Sequence, residues 1–371
     1  MFSSNTNVRA RTLAALCLLC GAQSSAHGQS PAAPSRVDLL SRPAVVTSRA
    51  GKAVLLTVAR AGPRLVAAGE RGIVLLSDDM GKSWRQTSVP VSVALTKLHF
   101  PDPGNGWAVG HGGVVLHSAD GGVSWVKQLD GLQAAKIELA AASDLAQTGE
   151  AGKSRLRDAE RLVAEGADKP LLDVYFSDRN RGWVLGAYGM ALATVDGGQT
   201  WQSMRGRIPG LNGRHLYSVR AAGKYVYLAG EQGALYRSGD GGQTFDALAT
   251  PYAGSYFGIL SGNDGSLLLF GLRGNAYRSV DDGLHWRKID TGLPVTLTAG
   301  LRLPSGVLIL ADETGRVLAS RDNGASFAAM PVPQRATFSD LAPTADGGVV
   351  LAGARGPVLM AIESVNKEGS K

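Results

Sequence analysis

Apolar and polar residues alternate along most of this chain in short runs, each bounded by Gly, Pro, Asn or Asp. A period of two sends successive side chains to opposite faces, so each run predicts a β-strand. The pattern is easiest to follow in Ala94-Leu-Thr-Lys-Leu-His-Phe100, Gly106-Trp-Ala-Val-Gly110, Val114-Val-Leu-His-Ser118 and Trp125-Val-Lys-Gln-Leu129. A Pro/Gly/Asn turn, a His-Gly-Gly turn and a polar box separate these runs, which makes four short antiparallel strands. The same grammar begins near Ala53, Ala94, Leu171, Leu216, Tyr256, Leu297 and Phe338, giving seven units.

Six of the units carry the polar box, Ser-x-Asp-x-Gly-x-Ser-Trp or a close variant: Ser77 to Trp84, Ser118 to Trp125, Thr194 to Trp201, Ser238 to Phe245, Ser279 to Trp286 and Ser320 to Phe327. The aspartates Asp79, Asp120, Asp196, Asp240, Asp281 and Asp322 lie 41, 76, 44, 41 and 41 residues apart. A repeat of that length built of four strands predicts the blades of a propeller. The carboxylate is suited to accept N–H groups of its own turn, the Gly to take a backbone conformation that other residues resist, and the aromatic to be buried between blades. Copies spread around a ring cannot all line one site, so the boxes are expected to maintain the fold.

Two parts of the chain depart from the repeat. The seventh unit has no Asp box and ends after Val349-Val-Leu-Ala-Gly353 and Pro357-Val-Leu-Met-Ala-Ile362, while 37–48 precede the first unit. That segment is expected to supply the missing strand and close the ring, removing open sheet edges. In the longest spacing, 131–169, the strand pattern stops. Leu132, Ala135, Leu139, Ala142 and Leu145, then Leu156, Ala159, Leu162 and Val163, recur at helical spacing, with Gly149 to Gly152 as the break. The expectation is a helical hairpin inserted in an all-β, seven-bladed propeller.

The first 26 residues fit a cleavable secretory signal: Arg9 and Arg11, an apolar core from Leu13 to Cys20, and small residues at Ser24-Ser25-Ala26. Bulky Leu16 and Leu19 before Cys17 and Cys20 argue against a lipid-acceptor site. Residues 27–36 read as a linker, 37–365 as the propeller and 366–371 as a tail. Both cysteines lie in the leader, so the processed chain is left without disulfide, zinc–thiolate site or catalytic thiol. The chain carries 38 basic and 31 acidic side chains, and losing two arginines with the leader reduces the excess from +7 to +5. That balance is no nucleic-acid signature.

The unit V-x-F-x-D-x-x-x-G-W-x-x-G-x-x-G-x-x-x-x-S-x-D-G-G-x-T-W, seen in Leu171 to Trp201 and Leu95 to Trp125, resembles the Asp-box (BNR) repeats of the photosystem II stability/assembly factor-like family. The resemblance covers about residues 50 to 360. It implies a seven-bladed propeller exported to the thylakoid lumen or the periplasm, without cofactor. It also implies a monomer that binds membrane-protein subunits and assists assembly or stability of their complex, rather than an enzyme. Sialidases and other Asp-box glycosidases share the repeat, so it speaks more strongly for the fold than for the function.

Strand direction alternates, so the second-to-third turns of all blades share one face with the connections between blades. Arg71, His111, Tyr188, Gln232, Arg273 and Arg355 occupy those turns, and Arg205, Arg207, Arg214, Tyr252 and Arg335 the connections, beside the helical insertion. Arg and Tyr dominate binding hot spots, and an arginine-rich face suits an acidic peptide or loop. The competing reading is a glycosidase or a carbohydrate-binding propeller. Glu70, Glu231 and Glu313 would be its carboxylates, Arg207-Ile208-Pro209 its sialidase-like signature, and Tyr188, Tyr252 or Tyr256 its stacking platforms. Against it, Glu70 and Glu231 fall in nearly opposite blades, and the Arg-Ile-Pro triplet follows the third box instead of preceding the boxes.

Overall fold

The structure is a computed structural model that describes residues 38–145 and 149–362. The leader, the whole linker, the tail and residues 37 and 363–365 of the expected propeller range therefore lie outside the described residues. Each unit folds as an antiparallel sheet in meander order. The inner strands are Leu55–Ala61, Leu95–His99, Leu171–Phe176, Leu216–Ala222, Tyr256–Ser261, Leu297–Arg302 and Phe338–Pro343, and we number the blades 1 to 7 in that order. In blade 2 the strands are Leu95–His99, Gly106–Gly110, Val115–Ser118 and Val126–Leu129, within a residue of the alternation. Second strands such as Gly106–Gly110 and Gly182–Gly186 are buried on both faces. Apolar side chains from adjacent blades fuse there into seven clusters, one for each interface around the ring.

Among the described residues, 38–48 do not add the expected closing strand to blade 7. Blade 7 has three strands among the described residues, ending with Val358–Met360. Residues 38–48 instead cross blades 1 and 2. The Asp38 carboxylate accepts the Leu40 N–H at 3.0 Å, starting a turn that Pro43 keeps from becoming a ladder. Beyond it, Ala44 N–H donates to the Val89 carbonyl at 3.0 Å and Ser92 N–H to that of Leu39 at 2.8 Å. Pro357, just before the last strand, offers no N–H along the edge that a fourth strand would occupy.

Side chains close the ring in place of that strand. The cluster joining blades 7 and 1 sets Ala342, Val350 and Ala352 against Leu55, Val58, Leu65 and Leu75. Within it, buried Asp340 accepts the Thr57 hydroxyl at 2.8 Å and the Val58 N–H at 3.2 Å, and pairs with Lys97 of blade 2 at 2.8 Å. Thr57 in turn accepts the Leu98 N–H at 3.0 Å, so one carboxylate ties the first two blades to the last.

The insertion forms two helices, α1 (Gly131–Leu145) and α2 (Glu150–Glu165). The second begins inside the expected Gly149–Gly152 break, because Gly152 is buried in the helix contact. On α1 the buried positions are Ala134, Ala135, Glu138 and Ala142, whereas Leu132 and Leu145 face outward. The inward face centres on a carboxylate that hydropathy would have turned to solvent. Glu138 is bridged by Arg155 of α2 at 2.8 Å and 3.1 Å and receives the Ser203 hydroxyl from the outer strand of blade 3. Burying Ala faces between close helices and pairing the one buried charge holds the hairpin on blade 3.

Candidate functional site: the connection face

Each second-to-third turn is anchored by the same backbone latch. The N–H that opens the turn donates to the carbonyl of the residue just before the blade's inner strand: Glu70 to Val54, His111 to Ala94, Ala187 to Pro170, Glu231 to His215, Leu272 to Ser255, Glu313 to Thr296 and Ala354 to Thr337, all at 2.9–3.2 Å. Turns and connections therefore share one face. The third residue of every turn is Gly with positive φ. Glycine is required because the next connection lies directly against it: a Cβ on Gly274 would stand 2.3 Å from the Leu293 carbonyl oxygen.

Outside blade 2, where Gly112 is buried, the residue before that Gly is pushed into solvent, and in four blades it holds a left-handed conformation despite having a side chain: Arg71, Tyr188, Gln232 and Arg273 (φ 54–57°). Such a conformation costs about 1 kcal/mol for a non-glycine residue. Local stability alone would favour Gly at these tips, as in blade 2, where Gly112 stands there and His111 precedes it.

The structure separates the expected contact residues into two groups. Arg71, His111, Arg273, Arg335 and Arg355 are exposed and make no side-chain hydrogen bond or ion pair among the described residues. Tyr188 is exposed too, beneath the Lys169 ammonium and 5.0 Å from the His215 ring. The others are engaged locally. Arg205 is largely buried against Glu138 and Asp158 at 3.9 and 3.8 Å. Arg207, expected on the connection face, instead donates to Gln202 and lines a groove with Arg181, Trp183 and the Asp box of blade 4, because the chain after the outer strand of blade 3 runs beside that box. Arg214 donates to Gln232 and to the Gly210 carbonyl. Tyr252 is half-buried against Tyr256, and Tyr256 is fully buried, which removes it as a stacking platform.

The three candidate carboxylates all perform one local task. The Oε1 atoms of Glu70, Glu231 and Glu313 accept the Val54, His215 and Thr296 N–H groups at 3.0, 2.8 and 2.9 Å, doubling the backbone latch in blades 1, 4 and 6. No two of them share a cleft. Among the described residues no group of His, Cys, Asp or Glu has metal-binding geometry, and no helix is long and apolar enough to cross a membrane.

Two features of this face were not singled out in the sequence. Residues 38–53 and blade 1 enclose a cavity of 720 Å³ whose walls include Arg42, Arg49, Lys52 and Arg71, with Leu39 and Val45 as apolar lining. Reading this segment as a closing strand hid its cations. The second is the mouth of the central channel, a 430 Å³ cavity to which all seven inner strands or their leading residues contribute. Its lining comes from the intermediate positions of the inner strands, whose alternation records which residues face the axis but not that seven such positions converge.

The opposite face carries the boxes. In all six, the Asp Oδ1 accepts the Ser/Thr hydroxyl two residues earlier at 2.7–2.8 Å and the N–H four residues later at 2.9–3.0 Å. The early hydroxyl also accepts the Gly N–H, and each box Trp donates its indole N–H to that Gly carbonyl. Hydrogen bonds from Ser83 and Thr200 hold the Asp79 and Asp196 carboxyls down at about 2.

Seven blades, six Asp boxes and an inserted hairpin define an Asp-box β-propeller. The chain belongs to the family described as "Photosynthesis system II assembly factor YCF48", whose profile matches residues 159–366. It is 24% identical over 286 residues to the "Photosystem II assembly lipoprotein Ycf48" of Synechococcus sp. (strain CC9902), covering 75% of each chain. Its fold is similar to the solved structure "YCF48 bound to D1 peptide", with TM-score 0.62 and 15% identity over 87% of this chain and 100% of that one. "YCF48 from Cyanidioschyzon merolae" is similar at TM-score 0.61 and 15% identity, over 83% of this chain and 95% of that one.

Proposed function

We propose that this protein is an exported, non-enzymatic assembly factor that binds a subunit of a membrane-protein complex through its connection face and assists the complex's assembly or stability. The observation that carries this reading is the set of cations on one face that make no side-chain hydrogen bond or ion pair among the described residues: Arg71, Arg273, Arg335 and Arg355 from turns and connections, with Arg42, Arg49 and Lys52 beside blade 1, where the one carboxylate in the cavity wall, Glu70, is already turned to the Val54 N–H. A cluster of guanidinium groups without ion-pair partners favours an acidic loop or peptide, and the rigid ring that carries them fixes the spacing of their backbones. Family membership supports the assembly role, as do relatives named for photosystem II assembly and one solved with a D1 peptide. The secretory leader read from the sequence supports a periplasmic or lumenal location.

Affinity capture from detergent-solubilised membranes of the native host tests the reading. The triple variant Arg71→Gly, Arg273→Gly, Arg355→Gln places Gly where the backbone already favours it, so its fold should hold. Recovery of an integral membrane subunit by the parent protein, reduced at least tenfold in the variant, is the expected result. Equal recovery by both would refute the face assignment.

A further inference from the structure

We propose that the channel mouth on the connection face is an anchor pocket that receives one aromatic or large aliphatic side chain of the bound protein segment, while the surrounding arginines hold the acidic residues flanking it. This rests on the docking role proposed above and adds to it the place and chemistry of the central contact.

The mouth lies on that face because its lining comes from the first residues of the inner strands, next to the latched connections. Leu56, Leu172, Tyr217 and Phe257 are each the second residue of their strands, and Thr96 and Thr298 are equivalent. Blades 3 to 5 thus line the mouth with Leu172, Tyr217 and Phe257, and the remaining arc bears the hydroxyls of Thr96, Thr298 and Ser339 with Leu56 among them. The threonine hydroxyls are turned to the protein: Thr96 Oγ1 donates to the Leu171 carbonyl at 2.7 Å and Thr298 Oγ1 to that of Phe338 at 2.6 Å. The charges below them are neutralised, Lys97 by Asp340 at 2.8 Å and Arg220 by Asp173 at 2.7 Å. The cavity therefore offers shape and apolar surface without an unpaired charge, and at 430 Å³ it falls within the usual range of about 300–1,000 Å³ for ligand pockets.

An aromatic track leads to it from the rim. Ring centroids of Tyr188 and His215 are 5.0 Å apart, those of His215 and Tyr217 6.2 Å, and those of Tyr217 and Phe257 5.0 Å. A segment lying along the track would meet exposed rings, then the neutral pocket, with cations on either side. Charge complementarity selects an acidic segment for the rim, and the absence of free charge in the mouth selects an apolar residue as its anchor. Such an anchor inserted in a desolvated pocket has the anatomy of a binding hot spot, and a free glycan satisfies neither half of that description.

The test places the photo-reactive residue p-benzoylphenylalanine at Tyr217 or Phe257, and in a separate rim variant at Arg273, in full-length protein expressed in the native host. Cross-linked peptides are then sequenced by mass spectrometry. The expected result is that channel and rim variants cross-link one client, the channel variants at an aromatic or large aliphatic residue and the rim variant at nearby acidic sequence. Rim cross-links without channel cross-links would overturn the anchor pocket and leave the docking role standing. Channel cross-links to glycan, or to a segment with no such residue, would also overturn it. If neither position captures a protein, the docking role itself fails. Thermal melts of each variant establish that it is folded. As a second measure, Tyr217→Ala and Phe257→Ala should each weaken client capture at least tenfold, while Lys82→Ala on the Asp-box face should leave it unchanged. Unweakened capture in both alanine variants would refute the proposal.

Discussion

On the Asp-box face, six turns repeat the same hydrogen bonds to within about a tenth of an ångström, and nearly every polar group in the motif is satisfied inside its own turn. The connection face is as regular in backbone, with seven latches of similar length, but its turn tips carry five residue types, Arg three times and four others once each: Arg71, Gly112, Tyr188, Gln232, Arg273, Thr314 and Arg355. A motif whose side chains bond inward has nothing left to offer a partner. A repeated backbone that projects varied side chains, with Arg71, Arg273 and Arg355 making no hydrogen bond or ion pair among the described residues, has the form of a recognition scaffold. Within one ring, repetition of side chains marks the device that maintains the fold, and variation on a repeated frame is the feature that the proposed docking role would use.

The largest expected effect lies on neither face but in the ring closure between them. Asp340→Ala strands Lys97 and frees the Thr57 hydroxyl and the Val58 N–H, so urea unfolding should show a loss of about 3 kcal/mol. A loss under about 1 kcal/mol would mean that packing between blades 7 and 1 suffices without the carboxylate. Next, Gly274→Ala sets a Cβ against the Leu293 carbonyl at positive φ and should cost about 2 kcal/mol. Within one Asp box, Asp120→Ala should cost about 1 kcal/mol, because water can reach much of that turn and replace the lost partners.

Acid should act on the contact between blades 2 and 3 and on the Asp boxes at different pH. His99 is partly buried, and desolvation with nearby Arg220 and Lys97 lowers it to about 3. Its unfolded form takes up a proton first, so stability from this group is lost as pH falls from about 6.5 toward 3. Asp79 and Asp196 have folded values near 2 and contribute stability above their unfolded values, lost as pH falls from about 4 toward 2. The melting temperature should therefore decline in two stages. His99→Gln, which keeps an acceptor for the Phe176 N–H, should flatten the earlier one. The smallest effect is expected of Arg71→Gly, a gain of about 0.5–1 kcal/mol from relief of the left-handed backbone, accompanied by weaker client capture. A destabilised Arg71→Gly protein would show that the arginine serves the fold and blur the contrast between the faces.

Strand positions were legible from alternation because which side of a strand a residue faces is settled by its own parity, and blade count followed because each unit repeats the same local code. The face assignment followed as well, since strand direction in a meander alternates by construction. Which arginines are free was not legible. Arg205 and Arg273 look alike in sequence, yet a buried glutamate 67 residues before Arg205 engages one of them, and nothing among the described residues engages the other. Tyr256 looked like a platform until its neighbours buried it.

Local order therefore determined the strands, the seven blades, the Asp-box turns and the hairpin, because propensity, turn chemistry and hydropathy period act between residues close along the chain. Only the tertiary structure decided how the ring closes, where 38–48 run, and which side chains meet at the channel. Those outcomes depend on contacts such as Thr57 with Asp340, separated by 283 residues, and on competition for partners that no local pattern records.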